Sequence, residues 1–290
     1  MLQGELMLQK KVSLSVLRLD KIHPVISGNK LFKLRYFLQN IPDKAGKTII
    51  TFGGAFSNHL VATAYACKMK NISCVGIVRG EQPAKLSHTL LHCSEYGMKL
   101  CFISRDEYAK KNEPGFLAQI CGLYNDCLII PEGGYDPDGA RGAAGIMNLI
   151  DPDTTHICCA VGTATTLAGL LLNIKPHQQI IAIPVLKGLT DITERIEFLT
   201  GGISTNQLHI HHQYHFGGYA KKSLALTGFM NSLYSKYQLP TDFVYTGKMM
   251  FAVMDLIQHN FFPEQSKIVC IHTGGLQGNL SLQKGTLTFI

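Results

Sequence analysis

Lys30 stands directly behind a glycine turn, Ser27-Gly28-Asn29, and ahead of Leu31, Phe32, Leu34 and Phe37, whose spacing predicts a helix with Lys30 in its first turn. A lysine fixed in this way can form a Schiff base with a carbonyl compound. The positive end of a helix disfavours another cation, which lowers the pKa of the amine and keeps it nucleophilic. Taken alone, Lys30 reads as an exposed helix-start lysine. The neighbouring strings reverse that reading.

The first of these is Gly53-Gly54-Ala55-Phe56-Ser57-Asn58-His59, set between an apolar run and a helix containing Ala62, Ala64 and Ala66. Its small residues let backbone amides approach a carboxylate, while Asn58 can bond a ring hydroxyl and Ser57 a substrate atom; an ordinary glycine turn capped by Ser57 would be spelled the same way. The second is Gly162-Thr163-Ala164-Thr165-Thr166, again between strand and helix. Successive amides at a helix N-terminus, with threonine hydroxyls beside them, suit a phosphate. This loop has neither the lysine of a Walker loop nor G-x-G-x-x-G spacing, which weakens a nucleotide reading. Tyr245-Thr246-Gly247-Lys248, His272-Thr273-Gly274-Gly275-Leu276 and Glu132-Gly133-Gly134-Tyr135 are further clusters at element ends. Tyr245 and Thr246 could meet a cofactor ring, and a purely structural role is open to each fragment. A Schiff-base lysine beside a separate anion cradle is the equipment of pyridoxal phosphate chemistry.

His209, His211, His212 and His215 invite a metal reading, with His209 and His211 on one face of a strand. No carboxylate or cysteine lies close in sequence to complete such a site, so structural or surface histidines are the reading and no metal is expected.

The elements that must position these groups alternate in type. Apolar runs at 48–52, 74–78, 100–103, 127–130, 157–161, 180–185 and 268–271 predict strands, and segments 58–70, 83–96, 139–150, 165–174 and 249–257 have helical spacing. Strand, helix, strand in this order predicts an α/β protein with largely parallel sheets and flanking helices, whose ligands sit at the carboxyl ends of strands. The glycine clusters from the start, middle and end must converge on one site. The chain is therefore expected to cross twice between two lobes, residues 43–135 forming the smaller and 1–42 with 136–290 the larger, cofactor-binding one.

Composition narrows the function classes. With 290 residues and 46% hydrophobic content the chain can bury a substantial core. The formal charge of +7 is spread without a dense basic block, so it suits small anions such as a phosphate cofactor or an amino-acid carboxylate and requires no nucleic acid. No long apolar run predicts a membrane span, and charges near the N-terminus argue against a signal peptide, so a cytoplasmic protein is expected. Nine scattered cysteines, never spaced C-x-x-C, predict reduced thiols.

Five strings in order, SGNKLFKL, GGAFSNH, EGGYDPDGARG, AVGTATTLAG, and YTGKMM with IHTGGLQG, resemble the 1-aminocyclopropane-1-carboxylate deaminase and D-cysteine desulfhydrase family over residues 18–278. These are pyridoxal-phosphate enzymes of the two-lobed tryptophan synthase β-like fold, fold type II. The resemblance implies that Lys30 carries the cofactor, Asn58 bonds its 3-hydroxyl, the loop of Gly162, Thr163, Ala164, Thr165 and Thr166 holds its phosphate, and Thr246 faces its pyridine nitrogen. It implies that Ser57, Asn58 and His59 surround the substrate carboxylate and that Tyr245 and Tyr219 lie over the reacting carbon, with Lys30, Ser57 and Tyr245 as the catalytic groups. A homodimer is also implied.

Ring-opening deaminases of this family carry a glutamate beside the equivalent tyrosine, which keeps the pyridine nitrogen protonated and the electron sink strong. Thr246 occupies that place here, and its neutral hydroxyl suits loss of a good β-leaving group. The resemblance therefore implies β-elimination and deamination of a small amino acid, D-cysteine giving sulfide, pyruvate and ammonia. A ring-opening deaminase giving 2-oxobutyrate, a racemase, and a cofactor-binding protein without chemistry are the alternatives.

Overall fold

The computed structural model describes residues 1–39, 41, 46–124 and 126–290. Its strands are β1 (Ser13–Arg18), β2 (Thr48–Gly53), β3 (Ser73–Arg79), β4 (Lys99–Ile103), β5 (Cys127–Ile130), β6 (His156–Val161), β7 (Gln179–Pro184), β8 (Leu208–Ile210) and β9 (Lys267–His272). They form two sheets, in the orders β1-β9-β6-β7-β8 and β4-β3-β2-β5, and every named pairing is parallel. Parallel neighbours need crossovers, which helices supply, so the α/β class and the flanking helices follow together.

The seven predicted strands are present within a residue or two of their expected ends. β1 and β8 were not predicted. β1 reads SLSVLR, with only Leu14 fully buried, and β8 has three residues, so neither offers an apolar run. The expected helix over 83–96 is confined to His88–Glu95, because Ser87 accepts from Leu90 N and caps it there. That over 139–150 becomes Pro137–Ala144 followed by a 3-10 stretch, Gly145–Leu149.

Central strands are buried on both faces: Ile49, Ile50, Ile157, Ile180, Ile181 and Cys270 are 0% exposed. Against the larger sheet, three helices pack through small residues. A Cβ on Gly142 of Pro137–Ala144 would meet Phe32 O at 2.1 Å, which only a residue without a side chain tolerates, and it is there that the Lys30 helix, Asn29–Gln39, lies down. Ala140 and Ala143 of the same helix pack against the Thr165–Leu172 helix. The string EGGYDPDGARG thus does structural work, bringing the lysine helix alongside the phosphate-type loop.

Strands β2 to β5 keep to the smaller sheet, and β1 with β6 to β9 to the larger. On this division we propose the lobes as 43–135 and 1–42 with 136–290; the first boundary, at residues 42 and 43, lies outside the described residues. The expectation of reduced thiols throughout is corrected. Cys121, ending the Pro114–Cys121 helix, and Cys127, opening β5, are disulfide-bonded, because the turn between them brings their Cα atoms to 5.7 Å. The other seven cysteines are free, six of them buried. Among the described residues no helix is long and apolar enough to cross a membrane.

Candidate active site

The seat of Lys30 is a close backbone crossing. Gly28 has φ +71°, and a Cβ there would lie 1.9 Å from Thr273 O, so glycine is required both by conformation and by space. Asn29 N donates to Thr273 O at 3.3 Å, tying the turn to the end of β9. Beneath it, His272 Nδ1 stands 3.2 Å from Asp20 Oδ1, its Nε2 is 2.9 Å from Pro240 O, and Arg18 forks onto Asp20 at 2.8 and 2.6 Å. Burial pushes the Asp20 carboxyl up, but the Arg18 bonds and the His272 and Arg18 charges outweigh it and hold the acid below its usual range.

From this seat Lys30 Nζ donates to Asn29 Oδ1 at 2.8 Å, and Asn29 Nδ2 donates to Thr166 Oγ1 at 2.8 Å, linking the lysine to the Gly162 loop. Burial lowers the Lys30 amine to about 8, with the Asp242 charge acting the other way. One helical turn on, Lys33 is 4% exposed and donates to Gly133 O at 3.1 Å. Burial and the Lys30 charge push its amine well below the usual range.

At the end of β2, Ser57 accepts from Leu60 N at 3.3 Å and starts the Asn58–Lys70 helix, keeping its own hydroxyl proton for another acceptor. Asn58 Oδ1 is buried with no hydrogen-bond partner. The His59 ring is drawn into the smaller sheet, its Nε2 2.9 Å from Thr51 Oγ1. Burial, then the Lys30 and Lys33 charges, lower its pKa to about 3. The ring is therefore neutral, and because Thr51 gives its proton to Ile130 O the one ring N–H goes to Thr51, which leaves the backbone N–H as the His59 donor for a carboxylate.

Opposite, Ala164 begins the Thr165–Leu172 helix with φ +66°, the left-handed conformation from which anion nests are built, and Thr163 Oγ1 meets Thr165 Oγ1 at 2.9 Å. Tyr245 and Tyr219 stand edge to face with centroids 6.3 Å apart. Burial raises both phenols, which keeps them protonated donors. Thr246 is wholly buried; its Oγ1 donates to Asp242 Oδ2 at 2.5 Å. The remaining acceptor capacity of Asp242 is filled by Val244 N, Tyr245 N and Thr246 N at 2.7–2.9 Å. Lys248, also buried, donates to His215 O and Gly218 O, which anchors the segment carrying the half-exposed Tyr219.

Of the predicted site residues, Ser57, Asn58 and His59 follow β2 and Gly162 to Thr166 follow β6, one strand from each sheet, whereas Lys30, Tyr245 and Thr246 come from helix starts and Tyr219 from a loop. Sequence reading missed Asn29, Lys33, Asp242 and Lys248. Lys33 was visible as i+3 from Lys30 on one helix face. Asp242, four residues before Thr246, carried only the weaker signal of an acid at a helix start. Of the histidines, His209 Nε2 lies 3.1 Å from Gln179 Oε1, His209 and His211 both pack edge-on against the Phe261 ring, and Gly217 N donates to His215 Nδ1.

Two observations test whether the residues fit pyridoxal phosphate. Part-buried Lys30 and buried Lys33 have no carboxylate at ion-pair distance among the described residues and lie beside the N-terminus of the Thr165–Leu172 helix, an arrangement that calls for an anion. The orphaned Asn58 Oδ1 calls for a polar group, and a Cβ on Gly275 would lie 3.1 Å from Asn58 Nδ2 and 3.3 Å from Asp242 Cγ, so the backbone leaves room there. Both requirements fit the group.

Comparison with known proteins agrees. A Pyrococcus abyssi protein provisionally named 1-aminocyclopropane-1-carboxylate deaminase is 29% identical over 273 residues, 87% of this chain and 81% of that protein. D-cysteine desulfhydrase of Salmonella paratyphi A is 26% identical over 282 residues, 88% and 85% of the two chains. The crystal structure of an ACC deaminase homologue superposes with a TM-score of 0.78 at 25% identity, covering 94% of this chain and 88% of the other. Residues 8–274 match the family model "Pyridoxal-phosphate dependent enzyme". With a part-buried amine tied to a left-handed helix start and an unsatisfied asparagine nearby, and with that match spanning nearly the whole chain, the protein belongs to the pyridoxal-phosphate dependent enzyme family.

Proposed function

We propose that the protein catalyses β-elimination and deamination of a small amino acid, in the manner of a D-cysteine desulfhydrase, giving pyruvate, ammonia and, from cysteine, sulfide. The observation that carries this reading is Thr246, which offers a hydroxyl where ring-opening relatives offer a carboxylate. Bound pyridoxal phosphate supplies the electron sink for the negative charge left when the α-proton is removed.

This chain's residues take the following roles. Lys30, its amine lowered by burial to about 8, would hold the cofactor and would hold and move the α-proton at Nζ. Lys33 and the amides of 162–166 bind phosphate, and Asn58 binds the 3-hydroxyl. Ser57, Asn58 and the backbone of His59 orient the substrate carboxylate. Tyr245 and Tyr219 enclose the reacting carbon and exclude water. Thr246 has committed its proton to Asp242, so it would offer the pyridine nitrogen a lone pair.

That last feature also favours a second reading, 1-aminocyclopropane-1-carboxylate deamination to 2-oxobutyrate, because a hydroxyl backed by a buried carboxylate is a better acceptor than a free one. Incubation of the holoenzyme with D-cysteine, L-cysteine and 1-aminocyclopropane-1-carboxylate separates the two. Sulfide with pyruvate supports the desulfhydrase reading, 2-oxobutyrate the second, and no product from any of them overturns both. We further propose a cytoplasmic homodimer, for which size-exclusion chromatography with light scattering is the test.

A further inference from the structure

The carboxyl ends of the four strands of the smaller sheet bear groups that the proposed chemistry leaves unused. Arg79 ends β3, Arg105 follows β4, Gly54 follows β2 and Glu132 follows β5, so all four come from adjacent strands at one sheet edge. Arg79, Arg105, Tyr108, Ala109, Lys111 and Glu132 line a cavity of about 430 Å³. Lys111 lies 3.6 Å from the Glu132 carboxylate, whereas Arg79 and Arg105 have no ion-pair partner among the described residues. The Arg79 guanidinium and the Lys111 ammonium lie over the Tyr108 ring, 5.9 and 5.1 Å from its centroid.

Tyr108 is 3% exposed, and its hydroxyl is buried without a well-formed hydrogen bond, the Glu132 carboxylate being the neighbouring acceptor. The cavity also adjoins the active site. A Cβ on Gly54, in the loop that leads to Ser57, would lie 3.7 Å from Arg79 Nη2. The charges of Arg79 and Glu132 act on the Tyr219 phenol, and that of Glu132 on Tyr245.

We propose that this cavity is a subsite for a second anionic group, a carboxylate, sulfonate or phosphate on the side chain of the amino-acid substrate, held by Arg79, Arg105 and the Tyr108 hydroxyl. The proposal rests on the reading of the main site as an amino-acid site. Two free guanidiniums and one hydroxyl exceed what Glu132 neutralises through Lys111, so the cavity selects for negative charge. A neutral side chain such as that of alanine leaves the arginines solvated and gains nothing from them.

The test uses holoenzyme, in which the cofactor's own phosphate site is filled. Binding of alanine, aspartate and O-phosphoserine, in both enantiomers, is followed through the cofactor's near-visible absorption, and inorganic phosphate binding by calorimetry, for the wild type and for Arg79→Met and Arg105→Met. The anionic amino acids should bind about ten- to a hundredfold more tightly than alanine, and each substitution should remove most of that advantage while leaving alanine unchanged. Equal affinities in wild type and variants overturn the subsite. Phosphate binding that depends on the arginines, with no spectral response to any amino acid, overturns the main-site reading and the substrate assignment together and leaves the cavity a free-anion site.

Discussion

Thr246 Oγ1 donates to the Asp242 carboxylate across 2.5 Å while accepting from Asp242 N–H at 2.8 Å, so one side chain closes a reciprocal pair with the residue four positions before it. The pair starts the Thr246–Gln258 helix and fixes the hydroxyl's direction. Asp242→Asn and Thr246→Val should each destabilise the protein by about 1–3 kcal/mol, since each leaves a buried polar partner unsatisfied. In a double-mutant cycle read by urea unfolding, the two should couple by about 0.5–3 kcal/mol. Strict additivity would show that the hydrogen bond carries no stability.

Lys30→Ala should remove the near-visible cofactor band and lower kcat by at least roughly 10²–10⁴-fold, the contribution of a positioned acid–base group. Borohydride treatment of the wild type followed by peptide mass spectrometry should place the reduced adduct on Lys30. An adduct on Lys33 instead would reverse the roles given to the two lysines.

Lys33→Met should act in opposite directions on the two forms. It removes a buried cation, so the apoprotein should be as stable as the wild type or more so. It also removes a charged donor from the phosphate, so the cofactor should bind about ten- to a hundredfold more weakly in reconstitution titrations. An unchanged cofactor affinity would place Lys33 outside the phosphate site.

Burial of three lysines should give the apoprotein a contribution to stability that grows with pH above about 8. Burial lowers Lys30 and Lys248 to about 8 from 10.5, and Lys33 further, so between those values the unfolded chain holds more protons than the folded one. Below about 8, Lys30 and Lys248 are charged in both states and their penalty is constant. Urea unfolding of wild type and Lys30→Met from pH 7.5 to 10.5 should show their stability difference moving in favour of the wild type as pH rises, the raised buried thiols of Cys93, Cys158 and Cys159 and the Tyr108 phenol acting the other way equally in both. A difference independent of pH would mean that water reaches the Lys30 amine.

The loops of the proposed cofactor site were legible where glycine is required, at Gly28 by conformation and space and at Gly53 by space, whereas the left-handed Ala164 gave no such signal. The smaller sheet was legible too, its strands being unbroken apolar runs. Contacts between distant side chains were not legible. Asp242 gains its role only because the chain folds back on Thr246, Arg79 and Arg105 meet because β3 and β4 are neighbours, and Cys121 faces Cys127 because a helix ends where a strand starts. β1 was hidden because an edge strand with one fully buried residue needs no apolar run.

β1 pairs with β9, register Ser13↔Lys267 through Arg18↔His272, so the edge of the larger sheet joins segments about 250 residues apart. The Gly28–Thr273 crossing that seats Lys30 lies just beyond that pairing. The lysine is made in the first part of synthesis, yet its surroundings are complete only when the last strand arrives and the longest loop in the chain has closed. Covalent capture of the cofactor is thus a report on finished folding: in a refolding experiment the near-visible band should grow with the slowest phase, and a chain stopped before Lys267 should bind no cofactor at all.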